Sequence, residues 1–161
     1  MTIQEKNRPG LAFCFSVELE VGDPVVVAAS RDSGKRQLIP ILRGVVCGEL
    51  TGHVLPGGVD SQIIEPDGLC RLSARYALAT SLGSVYIENN GIRRVPPAFR
   101  EHLFGDDMRF FDAISPESLY FRTVPQFEVY DPRLAWLKES IFISTGERTP
   151  NGVTICFYRV T

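Results

Sequence analysis

From Leu11 to Val21 an apolar residue stands at every second position: Leu11, Phe13, Phe15, Val17, Leu19 and Val21, separated by Ala12, Cys14, Ser16, Glu18 and Glu20. Successive side chains of an extended chain point to opposite faces, so this period of two makes a strand with one buried face. Gly22-Asp23-Pro24 interrupts the pattern, and a second, β-branched run begins at Val25-Val26-Val27. Comparable runs predict strands around 38–43, 45–54, 59–64, 69–80, 84–90, 119–129, 141–145 and 153–160.

The breaks between these runs carry turn chemistry. Pro66-Asp67-Gly68 combines a residue that presets φ with one that accepts a positive φ. Ser81-Leu82-Gly83 and Asn151-Gly152 are expected at hairpin turns, and Asn90-Gly91 is expected to end a strand. Pro96-Pro97 can start a short helix carrying Phe99 and Leu103, with Gly105 placed to stop it. Residues 106–118 read as irregular and aromatic, and a connection this long often caps a site. Asp131-Pro132 gives the cap and first turn of another short helix through Trp136 to Glu139.

With no repeat and no strand/long-helix alternation, these signals predict an all-β fold: an antiparallel barrel of about 8–10 strands with short helices in the 96–118 and 131–139 connections. Residues 1–10 are polar and expected to be a flexible segment, and 11–161 a single barrel domain.

Charge narrows the partners. The 17 basic and 19 acidic residues are well mixed, leaving a net charge of −2 and no basic stripe to neutralise a phosphate backbone. Nucleic acid is therefore not an expected partner. Arg31, Lys35 and Arg36 surround Ser33-Gly34, but the upstream glycine and following Ser or Thr of a phosphate-binding loop are missing. Met1–Gly10 has no apolar core for a signal peptide, and no run approaches the ~18 apolar residues of a membrane span. A cytoplasmic protein without a membrane partner is expected, and the composition is compatible with a homo-oligomer. Cys14, Cys47, Cys70 and Cys156 form no C-x-x-C pair and read as small buried hydrophobes. His53, on a β run, reads as a barrel-wall or core residue, and His102 as an exposed helical one, so no metal site is expected. Motifs for nucleotide, zinc or serine-nucleophile chemistry are missing as well. Any chemistry must come from carboxylates, arginines and tyrosines, without a cofactor.

Two stretches gather such groups. Ser84, Tyr86, Glu88 and Asn90 alternate with Val85 and Ile87, while Tyr120, Arg122, Gln126 and Glu128 alternate with Phe121 and Phe127. In a wide barrel the polar face can line a pocket; on periodicity alone a solvated outer face is slightly favoured. Asp60 follows the flexible Pro56-Gly57-Gly58 and suits either a general base or a turn cap, the cap being commoner. Trp136, the one tryptophan, suits a plug at a barrel end more than a pocket wall.

Taken in order, several segments resemble domain-of-unknown-function family 3237, a family of small, mostly uncharacterised proteins. They are 52–60 (Gly-His-Val-Leu-Pro-Gly-Gly-Val-Asp), Ala74-Arg75-Tyr76, 85–93 (Val-Tyr-Ile-Glu-Asn-Asn-Gly-Ile-Arg), Tyr120-Phe121-Arg122-Thr123, Phe127-Glu128 and Trp136-Leu137. Leu82 stands where the family has Asp before glycine, and Ser61 where it has an aromatic residue, which would leave more room if that position lined a pocket. The resemblance implies a β-barrel, points to Asp60, Tyr76, Tyr86, Arg122, Glu128 and Trp136 as recurrent positions, and raises the pocket reading of the polar faces.

The resulting expectation is a cofactor-independent enzyme acting on a small, partly apolar organic molecule by acid/base chemistry, an isomerase, cyclase or hydratase/lyase of the kind used in specialised metabolism. Asp60 and Glu128 would exchange protons, Arg122 would stabilise negative charge and Tyr86 would donate a hydrogen bond. Tyr76, Glu88, Tyr120 and Trp136 would contact substrate, and 96–118 would be a lid. The alternative is a non-catalytic small-molecule-binding barrel, and after it a structural subunit without a polar cavity.

Overall fold

The alternating N-terminal segment is strand β1 (Leu11–Val21), and nine more strands follow it: β2 (Val25–Ser30), β3 (Gly34–Gly48), β4 (Gly52–Val54), β5 (Gly58–Ile64), β6 (Cys70–Thr80), β7 (Gly83–Arg94), β8 (Tyr120–Val129), β9 (Phe142–Thr149) and β10 (Gly152–Val160). The computed structural model describes all 161 residues, Met1–Thr161. Every pairing is antiparallel. β1 pairs with β10 on one side and β3 on the other, so the sheet closes on itself as β1-β10-β9-β8-β7-β6-β5-β3. Closure removes the unpaired edges that an open sheet would present. The short β4 continues the line of β5 between β3 and β6, and β2 flanks β3 outside the closed wall. An eight-stranded barrel is just wide enough to be filled by side chains or to hold one small ligand.

This barrel does both, one at each end. At the end where β7 begins and β8 finishes, Phe15, Val17, Leu78, Val85, Ile87, Phe142 and Phe157 are completely or almost completely buried. Phe15 stacks on Phe157 at 4.5 Å, and Phe127 meets Phe142 edge-on at 5.2 Å. Residues Pro132–Leu137 form a 3₁₀ turn, capped by the Asp131 carboxylate, whose Leu134 and Leu137 are buried in the same core. At the opposite end the long connection 95–119 winds through three 3₁₀ turns, Pro97–Phe104, Arg109–Ala113 and Pro116–Ser118. No helix is long and apolar enough to cross a membrane.

Three local expectations are corrected. The runs at 38–43 and 45–54 are not two strands: β3 is continuous from Gly34 to Gly48, and the chain reverses before β4. Pro40, which has no N–H to give, is accommodated beside a register shift opposite Glu20 and Val21. The expected short helices are present, as 3₁₀ turns. Cys47 is exposed, on the outward row of β3. Asn90-Gly91 is not a turn but lies inside β7, paired with Val124 and Thr123 of β8.

Gly91 serves a close approach of backbones rather than a positive φ. A Cβ there would meet the Arg122 carbonyl oxygen at 2.2 Å and the Thr123 Cα at 2.5 Å. Gly91→Ala should force β7 and β8 apart and lower the unfolding free energy by about 1–3 kcal/mol. Urea denaturation checks this; an unchanged midpoint would show that the pair yields without strain.

Candidate functional site

The inward rows that bury phenylalanines at one end carry polar groups towards the other. On β7, Val85 and Ile87 are followed on the same face by Asn89 and Arg93. On β5 the row is Asp60, Gln62 and Ile64, and on β3 it is Lys35, Gln37, Ile39 and Ile41. Of these, Gln37, Ile39, Ile41, Asp60, Gln62, Asn89 and Arg93, with Leu72, Ala74 and Tyr76 of β6 and Phe121 and Thr123 of β8, enclose a cavity of about 400 Å³. Its mouth is framed by Gly22-Asp23-Pro24 and Pro150-Asn151-Gly152, and the connection contributes Met108 and Phe111. The volume suits a small organic ligand.

A relay runs along one wall. Gln37 Nε2 donates to Gln62 Oε1 at 2.9 Å, and Gln62 Nε2 donates to Asp60 Oδ2 at 2.7 Å. The Ser73 amide donates to Asp60 Oδ1 at 3.2 Å. Burial pushes the Asp60 carboxyl above the ordinary 3.8, against the pull of the Gln62 hydrogen bond, the Arg93 charge and the Ser73 amide. Tyr76 lies beneath it; burial first and the Asp60 charge second raise the phenol, which stays neutral. The Tyr76 hydroxyl, Gln37 Oε1, Asn89 Oδ1 and Arg93 Nε are buried without a protein partner. Such orphans are rare, and four of them gather on this one cavity surface. Asn89 is held by donating Nδ2 to Ser144 Oγ at 3.4 Å, and that hydroxyl is in turn hydrogen-bonded to Thr123.

Two arginines complete the cavity. Arg93 is only 5% exposed; its guanidinium lies 4.9 Å from the Phe111 ring centroid and 5.9 Å from that of Phe121, and donates to Cys70 Sγ at 3.7 Å. Arg148, at the rim, stacks 4.1 Å over the same Phe111 ring. Desolvation there and the Arg93 charge bring Arg148 down to about 10, opposed by Asp112. The six ion pairs of the protein all involve other arginines. Cation–π stacking contributes ~0.5–2 kcal/mol, whereas an unpaired buried ion costs several kcal/mol, so stacking alone does not offset the Arg93 charge.

Lys35, buried beneath the connection, donates Nζ to the carbonyls of Leu103 at 3.5 Å and Gly105 at 3.2 Å. It therefore ties the covering segment to the wall. Lys35→Met should speed amide hydrogen exchange in 97–113 while the barrel strands keep their protection. Equal protection in both proteins would show that the apolar packing of Leu103 holds the segment unaided.

The structure brings two of the eight sequence-nominated residues, Asp60 and Tyr76, into this cavity. The other six lie elsewhere. Tyr86 and Glu128 face each other on the outer side of β7 and β8 in a shallow groove, where the Tyr130 hydroxyl donates to Glu128. Glu88, also outward, approaches Arg75 at 3.7 Å. Tyr120 and Arg122 are exposed, the guanidinium 5.5 Å over its neighbour's ring and donating to the Phe121 carbonyl at 2.9 Å. Trp136 packs at the opposite end, 6.0 Å from Phe142 and 5.0 Å beneath the Arg159 guanidinium. Ser61 points outward and accepts from Arg36 at 3.2 Å, so its small size does not enlarge the cavity. Gln37, Gln62, Asn89, Arg93, Phe111 and Arg148 were not nominated from the sequence. His53 is exposed on β4, and His102 stacks on Phe110 at 5.3 Å. No group of three or more His, Cys, Asp or Glu side chains is placed to share a metal ion.

Known proteins place this barrel. The model of the family described as protein of unknown function (DUF3237) matches residues 9–160. A UPF0311 protein from Clostridium acetobutylicum is 43% identical, the match covering 91% of each chain. The crystal structure of a protein of unknown function from the same species superposes with a TM-score of 0.87 at 41% identity, over 96% of this chain and 99% of that one. A more distant barrel, the crystal structure of an enzyme from Penicillium herquei, has a TM-score of 0.71 at 18% identity, over 96% of each chain, a likeness of fold. The cavity just described is thus built on a shared scaffold, and the chain belongs to the DUF3237 family.

Proposed function

We propose that the barrel is a cofactor-independent enzyme that moves a proton on a small, partly apolar organic molecule, as an isomerase, cyclase or hydratase/lyase does, with Asp60 as the acid/base group. The observation that carries this reading is Asp60 itself: a half-buried carboxyl with a raised pKa, facing a cavity of about 400 Å³ beside Arg93 and an unpartnered tyrosine hydroxyl. Raised carboxyl pKa values in clefts accompany acid/base roles, because transfer is most efficient when the group titrates near the working pH. Arg93 takes the role expected of Arg122, stabilising negative charge that develops on a substrate oxygen. Tyr76 donates a hydrogen bond, and the Asn89 and Gln37 carbonyls accept from substrate hydroxyls. One carboxyl suffices, picking up a proton at one atom and returning it at another.

The test is deuterium exchange in D₂O, followed by NMR, over a panel of enolisable ketones, hydroxy acids and alkenyl phenols. Exchange at carbon by the wild type that is lost in Asp60→Asn supports the enzyme. The second reading, a binding barrel, is favoured by the recognition character of the orphaned Tyr76, Gln37 and Asn89 atoms. It predicts a raised melting temperature with a panel member and no exchange with any.

A further inference from the structure

We infer that the molecule taken by this cavity carries a carboxylate, held at the mouth by the Arg93–Arg148 pair across the Phe111 ring. The inference rests on the cavity being a small-molecule site and not on catalysis by Asp60. Two cations share one aromatic ring at 4.9 and 4.1 Å, and neither has a carboxylate within ion-pair distance. Arg93 is buried, with its Nε unpartnered in the cavity lining. Arg93 is desolvated and Arg148, exposed at the rim, adds a second positive charge beside it, so an anion seated against both relieves the desolvation of Arg93 and their mutual repulsion.

The donor set selects the anion. Phosphate sites commonly draw on helix N-termini or loop amides, whereas Arg93 and Arg148 stand on strands β7 and β9, and the N–H groups flanking Arg93 are committed to the sheet. Two planar guanidinium forks pair bidentately with a carboxylate or a phosphate, and a carboxylate needs no donors beyond them. Strand register orders the rest of the ligand: Arg93 pairs with Cys70 nearest the mouth, Asp60 and Asn89 both oppose Ala74 further in, and Tyr76 is deeper still. The ligand therefore enters with its carboxylate outermost and its less polar, reactive portion against Asp60 and Tyr76.

The experiment is isothermal titration of the intact protein with benzoate and cinnamate, against benzamide and cinnamamide as neutral isosteres and phenyl phosphate as the competing anion. Arg148→Gln is the variant, since its rim position spares the fold. The carboxylates should bind at least about tenfold more tightly than their amides, and more tightly than phenyl phosphate. Arg148→Gln should lower carboxylate affinity about tenfold and leave the amides unchanged. Amides that match the acids, a variant that weakens both alike, a preference for phosphate, or no carboxylate binding at all overturns the inference. Failures here and of the proton-transfer reading are distinguishable. Carboxylate binding that persists in Asp60→Asn without exchange by the wild type removes only the catalysis. Exchange confined to neutral ketones removes only the carboxylate.

Discussion

Asp60→Asn is expected to lower the rate of substrate deuterium exchange by about 10²–10⁴-fold while the barrel stays folded, the loss typical of removing a positioned acid/base group. The variant is nearly isosteric, and the relay that fixes Asp60 can reverse. In the present arrangement Asp60 accepts from Gln62, Gln62 accepts from Gln37, and Gln37 Oε1 is left without a partner. An amide at this position, like a protonated carboxyl, can donate to Gln62 Oε1; Gln62 Nε2 then donates to Gln37 Oε1. Protonation of Asp60 is thus coupled to the direction of a hydrogen-bonded chain that can run either way.

The same group sets a sign for stability. Its folded-state pKa lies above the ordinary 3.8, so the native protein binds the proton more tightly than the unfolded chain does. Below the unfolded value both states are protonated and the contribution is fully present. As pH rises through the folded-state value, that contribution is lost. Wild type should therefore lose stability relative to Asp60→Asn between pH 4 and neutrality, measured by urea denaturation at each end of ~pH 4–7. A difference that grows in the opposite direction would mean that Gln62, Ser73 and Arg93 outweigh burial, leaving an ionised carboxylate unsuited to the proposed role.

The barrel was legible in the sequence because its signals are local. The run from Leu11 to Val21 alternates over its whole length, and β1 has those bounds. Pro66-Asp67-Gly68 is a turn with Gly68 at a φ of +91°. Where the reading went astray, a tertiary contact had overruled a local preference: at Asn90-Gly91, the crowding of β8 explains the glycine better than turn chemistry does.

The site was harder to read, and β7 shows why. Its even residues, Tyr86 and Glu88, look like a functional face because they are polar beside Val85 and Ile87. The parity that buries Val85 and Ile87 continues inward to Asn89 and Arg93, since a strand that keeps its register cannot change faces. The inward row is apolar where it meets the aromatic plug and polar where it meets the cavity. Asn89 and Arg93 were therefore available from parity alone, once the apolar half fixed which face was inside. Arg148 and Phe111 were not. Their meeting depends on how the 95–119 connection folds over the mouth, and no periodicity encodes that.

The largest expected stability change lies at the other end. Phe15→Ala should lower the unfolding free energy by about 3–5 kcal/mol, much of what a small domain has. Phe15 is fully buried, stacked on Phe157 at 4.5 Å and 6.1 Å from Phe127, so its removal leaves a void that these rigid rings cannot collapse to fill. None of these three rings lines the cavity, whose polar floor is Tyr76. Carboxylate affinity of the folded variant should consequently stay close to wild type even as the urea midpoint falls. A loss of affinity that tracks the loss of stability would show the opposite arrangement: that the aromatic plug sets the cavity's shape through Tyr76, and that the two halves of the barrel act as one packed unit.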